Sequence, residues 1–169
     1  MKVEFIVPGV PQGKGRARII KIAGHSRMMT PEKTVSYESL IAWTAHRAMQ
    51  GAPLIEGPVS VTLDIDCQVP SSWGLPKKRK ALAGLIYPTT RPDADNVLKS
   101  IADGLNGIVW KDDVQMVDVV LRKRYSDTPK VRVVVAELGM SVREPTPMPE
   151  PFSDWLKHGP LPDVQKALP

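Results

Sequence analysis

The chain has 169 residues, 23 Lys+Arg against 18 Asp+Glu, a formal net charge of +5 and 42% hydrophobic content. That length holds one compact domain with a real core, and the proportions are not those of a disordered chain. The longest apolar runs fall far short of a membrane span, and the single cysteine, Cys67, excludes an internal disulfide and a cysteine-cluster zinc site. The expected setting is a reducing cytoplasm, that of a bacterium or of a host cell if the chain is phage-encoded.

Lys2–Val7 alternates apolar and polar residues, with Val3, Phe5 and Val7 on one face, and predicts a strand. Residues 8–15, rich in Pro and Gly, read as a loop. Pro31–Gln50 predicts a helix with Val35, Leu40, Trp43, Ala45 and Met49 as its apolar stripe, stopped by Gly51-Ala52-Pro53. Val59–Val69 alternates strictly and predicts a second strand. Lys77–Gly84 reads as a short basic helix and Pro88–Pro92 as an extended connector. Asp93 or Asp95 then caps a helix running to about Leu105, its buried stripe Val97, Leu98, Ile101, Ala102 and Leu105, ended by Asn106-Gly107. Val114–Tyr125 and Val131–Leu138 predict two strands joined as a hairpin by residues 126–129. Residues 139–169 hold seven of the 17 prolines and read as a tail or appendage to a domain spanning 1–138, docking through Phe152 and Trp155. The expected class is α+β: a mixed or antiparallel sheet of about four strands with two main helices packed on it. Trp43, Trp73 and Trp110 are expected in the core.

The charge is unevenly placed. Lys14, Arg16 and Arg18 sit on the Gly-rich loop, Lys77-Lys78-Arg79-Lys80 form a run, and Arg122-Lys123-Arg124 form another. Basic surfaces attract polyanions by releasing counterions. Against them, residues 93–113 concentrate Asp93, Asp95, Asp103, Asp112 and Asp113 with Lys99 and Lys111. Clustered carboxylates repel one another and repel phosphate unless a divalent cation lies between them. Oxygen donors without His or Cys favour Mg²⁺ or Mn²⁺. A hard cation on a basic protein suggests phosphodiester hydrolysis, with a nearby Lys to stabilise the developing charge. Helical spacing puts Asp95, Lys99 and Asp103 on one face. The same residues also fit plainer roles: a helix cap, a solvated ion-pair ladder, and turn residues at Asp112-Asp113. Ile108–Trp110 is short for carrying Asp113 back along the helix, about 10 Å against about 16 Å, so closure of the site calls for a second subunit or for Asp113 re-entering on the next strand.

The segments Pro8–Arg18, Thr30–Glu38, Trp73 with Lys77–Lys80, Pro92–Lys99, Asp103–Gly107 and Val109–Asp113 resemble the RusA family of Holliday-junction resolvases. The specific part is Asp-x-Asp-Asn-x-x-Lys at 93–99 followed by Asp112-Asp113, and the likeness spans about residues 1–138. It implies that Asp93, Asp95 and Asp113 bind Mg²⁺ and are catalytic, and that Lys99 assists. It implies a homodimer that nicks four-way junctions in pairs, in DNA recombination and repair, with no membrane and no small-molecule cofactor. Lys14, Arg16, Arg18 and Lys77, Lys78, Arg79 and Lys80 then become candidate DNA contacts. Two alternatives remain: a non-catalytic DNA-binding protein, and a metal-dependent nuclease for another branched substrate.

Overall fold

The computed structural model describes residues 1–16, 18–22, 25–29 and 31–139. The elements run β1 (Lys2–Pro8), β2 (Arg18–Ile22), β3 (His25–Met29), α1 (Glu32–Met49), β4 (Val59–Gln68), α2 (Leu75–Leu82), α3 (Ala94–Leu105), a 3₁₀ turn (Asp113–Gln115), β5 (Met116–Ser126) and β6 (Lys130–Glu137). A four-stranded mixed sheet has the order β1-β6-β4-β5, and β2 and β3 form a separate antiparallel pair. The class is α+β. The tail expected to dock through Phe152 and Trp155 lies outside the described residues, as does the side chain of Arg18.

The sheet buries one face. Val59, Val61, Leu63, Ile65 and Cys67 of β4, Val131, Val133 and Val135 of β6, and Val3, Phe5 and Val7 of β1 point into one core with the buried stripes of α1 and α3. The opposite face is polar: Arg132 of β6 bridges Glu4 of β1 (2.8 Å) and Asp64 of β4 (3.1 Å). This strict alternation is what a one-sided sheet requires.

The expected hairpin is corrected. β5 and β6 do not pair; β4 lies between them, parallel to β5 and antiparallel to β6. β6 and β4 take the central positions. β5 leaves Val117 and Val119 exposed near its start and takes the edge. Three residues separate Ser126 from Lys130. Four steps of chain reach about 13 Å when extended, enough to step across one strand at about 4.8 Å per spacing.

The α1 stripe is also corrected. Thr34, Tyr37, Ile41, Ala45 and Met49 are buried, whereas Val35 is 48% and Trp43 57% exposed. Trp43 follows Ile41 by two residues, about 200° around a helix of 3.6 residues per turn, and so faces away. It carries the Arg47 guanidinium 5.0 Å from its ring. Among the described residues, the fully buried tryptophan is Trp110. In α3, Val97, Ile101, Ala102 and Leu105 are buried as expected; Leu98 is only half-buried, and Ser100 and Gly104 join them. Gly104 is where α1 crosses α3: a Cβ there would stand 2.7 Å from Ile41 Cγ2.

Candidate functional site

Asp93 occupies the N-cap position of α3, with extended backbone (φ −71°, ψ 139°), but its side chain accepts no bond from the first-turn amides. The expected capping role is therefore not taken up by its carboxylate, which instead accepts from Asn96 Nδ2 at 3.4 Å. Asp95, in the first turn, stands 3.6 Å from Lys99, with both side chains about two-thirds exposed. An exposed pair at i,i+4 is weakly bound, so both groups remain available to a ligand.

The loop before β2 is fastened along α3. The Lys14 amide donates to Asn96 O at 3.0 Å. Gly13 lies so close that a Cβ would meet Asn96 Cβ at 2.9 Å, so this approach needs a residue without a side chain. Lys14 Nζ donates to the Asp103 carboxylate and lies 3.9 Å from Glu38 Oε1 on α1. Lys14 thus spans about 10 Å of helix, seven residues at 1.5 Å each. The hydrogen bond to Asp103 holds the Lys14 ammonium above the usual lysine value. Burial pushes the Glu38 carboxyl up, opposed by Lys14.

Asp112 and Asp113 follow the buried Trp110, whose Nε1 donates to Asn106 Oδ1 at 2.7 Å and fixes the turn after α3. Asp112 caps the 3₁₀ turn by accepting from the Val114 amide at 3.1 Å. Gln115 anchors that turn, donating to Ile55 O and Gly57 O at 2.8 and 2.9 Å. Burial, then the neighbouring Asp112 carboxyl, push Asp113 above the usual carboxylate range. The α3 carboxylate whose charge reaches Asp113 is Asp103, and Lys14 opposes it.

The fold thus brings Asp113 towards Asp103 and Lys14, and sets Asp93 and Asp95 at the N-terminal end of α3. Among the described residues no three Asp, Glu, His or Cys side chains converge as a closed metal site. The donor chemistry nonetheless fits a hard cation, since Mg²⁺ is commonly held by one or two carboxylates with water and substrate phosphate completing the shell. Glu38 and Asn96 had no assigned role in the sequence, although both lie inside the segments that carry the resemblance.

Basic groups lie beside the N-terminal end of α3 and, separately, on α2. A groove of about 730 Å³ is lined by residues 10–16 with Arg91–Asp93 and Asn96, and admits Lys14, Arg16 and Arg91. On α2, Lys77, Arg79 and Lys80 are exposed and Lys78 is half-buried. Lys77 Nζ lies 3.9 Å from the centre of the Trp73 ring, which packs edge-on against Tyr125 at 5.3 Å. Among the described residues, no helix is long and apolar enough to cross a membrane.

An α+β fold with exposed carboxylates at one helix end, beside a groove lined by Lys14, Arg16 and Arg91, is compatible with a nuclease-like class. The family model described as Endodeoxyribonuclease RusA matches residues 8–136, and the chain belongs to that family of endodeoxyribonucleases. It is also 37% identical over 140 residues to the uncharacterized protein YqaN of Bacillus subtilis (strain 168), covering 80% of this chain and 96% of that protein.

Proposed function

We propose that this endodeoxyribonuclease resolves four-way DNA junctions by paired hydrolytic nicks, using Mg²⁺ and acting as a homodimer. The observation that carries the reading is the placement of Asp93 and Asp95 at the exposed N-terminal end of α3, beside a groove that admits Arg16 and Arg91. Asp93, Asp95 and Asp113 would hold Mg²⁺, with Mn²⁺ as an alternative. Bound there, the ion supplies an activated water and neutralises charge on the attacked phosphate. Lys99, 3.6 Å from Asp95, would leave that pair for the scissile phosphate and stabilise its developing negative charge. The α3 N-terminus adds a partial positive charge on the same side.

Lys14, Arg16 and Arg18, and Lys77 to Lys80, are proposed to grip phosphates and fix the position of the arms without reading sequence. Lys14 does this from a loop already tied to α3, so its position is set before DNA arrives. Two-fold symmetry of a dimer matches a substrate with its own two-fold axis. It would also supply the second carboxylate set that a single chain does not draw together.

The test is a cleavage panel of four-way junction, flap and linear duplex of equal length, with Mg²⁺ or EDTA. The reading predicts Mg²⁺-dependent nicks on opposing strands of the junction and little cleavage of the duplex. Preferred cutting of flaps would reassign the substrate, and junction binding without nicking under any divalent ion would reassign the protein as non-catalytic.

A further inference from the structure

The segment between α2 and α3 presents two large apolar side chains to solvent on a firm support. Leu85 is 72% and Tyr87 65% exposed. Between and after them, Ile86 packs against the core and Pro88 is buried. The outward positions are therefore fixed by their inward neighbours. The ends are also held. The Leu85 amide donates to Lys80 O at 2.9 Å, and Lys123 Nζ donates to Thr90 O. Leu82, at the end of α2, adds a third exposed apolar group.

The segment itself is basic. Residues 75–92 contain Lys77, Lys78, Arg79, Lys80 and Arg91 and no acidic residue. An isologous contact between two copies through this patch would set these charges against themselves, which disfavours self-association here. A polyanion with accessible apolar faces fits instead. DNA bases offer such faces where stacking is interrupted, and aromatic or aliphatic side chains on basic surfaces engage them. The segment also runs directly into Asp93. The chain takes about six steps from Tyr87 to reach it, at most about 20 Å when extended, or about six steps of a DNA strand at 3.4 Å each.

We infer that Leu85 and Tyr87 form an apolar tooth that enters the interrupted stacking at the crossover of branched DNA while the basic side chains of α2 hold the flanking phosphates. This rests on the branched-DNA reading above and adds to it the element that tells a crossover from continuous duplex. Tyr87 supplies the stacking ring and Leu85 fills the gap beside it.

The test compares wild type, Tyr87→Ala, Tyr87→Phe and Leu85→Ser for binding to a four-way junction and to a linear duplex of equal length, in EDTA. A 2-aminopurine at the crossover reports unstacking. Stacking of one base is worth about 1–3 kcal/mol. The expected result is about a tenfold loss of junction affinity for Tyr87→Ala, unchanged duplex affinity, near-wild-type binding by Tyr87→Phe, and loss of the fluorescence rise. Thermal unfolding checks that each variant is folded, and Leu85→Ser, expected to lose junction affinity selectively, carries the test if Tyr87→Ala is not. Unchanged junction binding, or an equal loss on both DNAs, would overturn the tooth. So would a Tyr87-dependent change in sedimentation, which would mark a contact between copies, or Tyr87-dependent binding to phosphatidylserine vesicles. If wild type itself does not prefer the junction, the underlying reading fails as well; a preference retained by every variant removes the tooth alone.

Discussion

Replacing Gly104 with Ala tests how tightly α3, the helix that bears the carboxylates, is seated on α1. The new Cβ would stand 2.7 Å from Ile41 Cγ2, 2.9 Å from Ile41 Cβ and 3.2 Å from the Glu38 carbonyl oxygen. Ile41 is fully buried and branched, so it has no free direction in which to withdraw. The carbonyl belongs to the α1 backbone. One helix must therefore shift by a few tenths of an ångström. Alanine is better than glycine in a helix interior by about 1 kcal/mol, and overpacking of a core costs about 1–3 kcal/mol. With both a buried branched side chain and a backbone atom in the way, the upper half of that range applies. The net expectation is a loss of about 1–2 kcal/mol. Urea unfolding followed by circular dichroism measures it as a lower midpoint with unchanged slope. Pairing it with Ile41→Ala should be less damaging than the sum of the two single changes, because the second removes the atom the first strikes. A Gly104→Ala protein more stable than wild type would refute the close crossing.

Tyr37 gives a pH prediction. Burial, opposed by the Gln12 backbone, pushes its phenol up to about 12, and among the described residues the hydroxyl meets no partner at hydrogen-bond geometry. An unfolded chain ionises tyrosine near pH 10, so the folded state holds the extra proton between about 10 and 12. Stability is therefore unaffected below about pH 10 and falls as pH rises through that window, by about 2–3 kcal/mol for this group. Tyr37→Phe should unfold with a shallower alkaline decline; identical alkaline profiles would contradict the burial argument. The two tryptophans placed oppositely by the fold should separate cleanly. Trp110→Ala should lose about 3–5 kcal/mol, and the surface change Trp43→Ala about 0.5 kcal/mol or less, by the same urea assay. Finally, Lys77→Ala, Arg79→Ala and Lys80→Ala together should flatten the plot of log affinity against log salt by roughly 0.9 for each phosphate that α2 no longer neutralises. A slope identical to wild type in filter binding would remove α2 from the DNA interface.

The four strands of the main sheet and the helices at 32–49 and 94–105 were legible because burial on one face imposes period 2 or 3.6 on the sequence. β4 shows this most plainly, every second residue from Val59 to Cys67 being buried. The pairing of β5 was not legible. Its sequence is apolar enough for a strand, but nothing local specifies that β4 should stand between it and β6, because that order depends on competition among all four strands. The β2–β3 pair also escaped, since neither Arg18–Ile22 nor His25–Met29 shows clean alternation. In α1, Trp43 was misassigned through residue type: a large ring suggested burial, whereas the spacing of Tyr37, Ile41 and Ala45 puts the buried face elsewhere.

At the site, the motif residues were legible as chemistry and their partners were not. Spacing puts Asp95 and Lys99 together on α3, and they do pair. Spacing also groups Asp103 with them, yet Asp103 bonds Lys14, a residue 89 positions earlier. Such a contact follows from the loop fastening at Gly13 and Asn96, which becomes visible only when the backbones are in place. Asp112 shows the opposite case. Its plainest role, capping a turn, is the one its side chain performs.

The role proposed for the α3 carboxylates is phosphodiester hydrolysis and not DNA binding. Asp95→Asn keeps the size and shape of the side chain and removes its charge, at an exposed position whose loss does not disturb the core. Single-turnover cleavage of a labelled four-way junction in Mg²⁺, measured beside binding of the same junction in EDTA, separates the two properties. The expected result is cleavage reduced by about a hundredfold to a thousandfold, on the scale of losing a group that stabilises the transition state, with junction affinity equal to or above that of wild type. Cleavage by Asp95→Asn at the wild-type rate would contradict it.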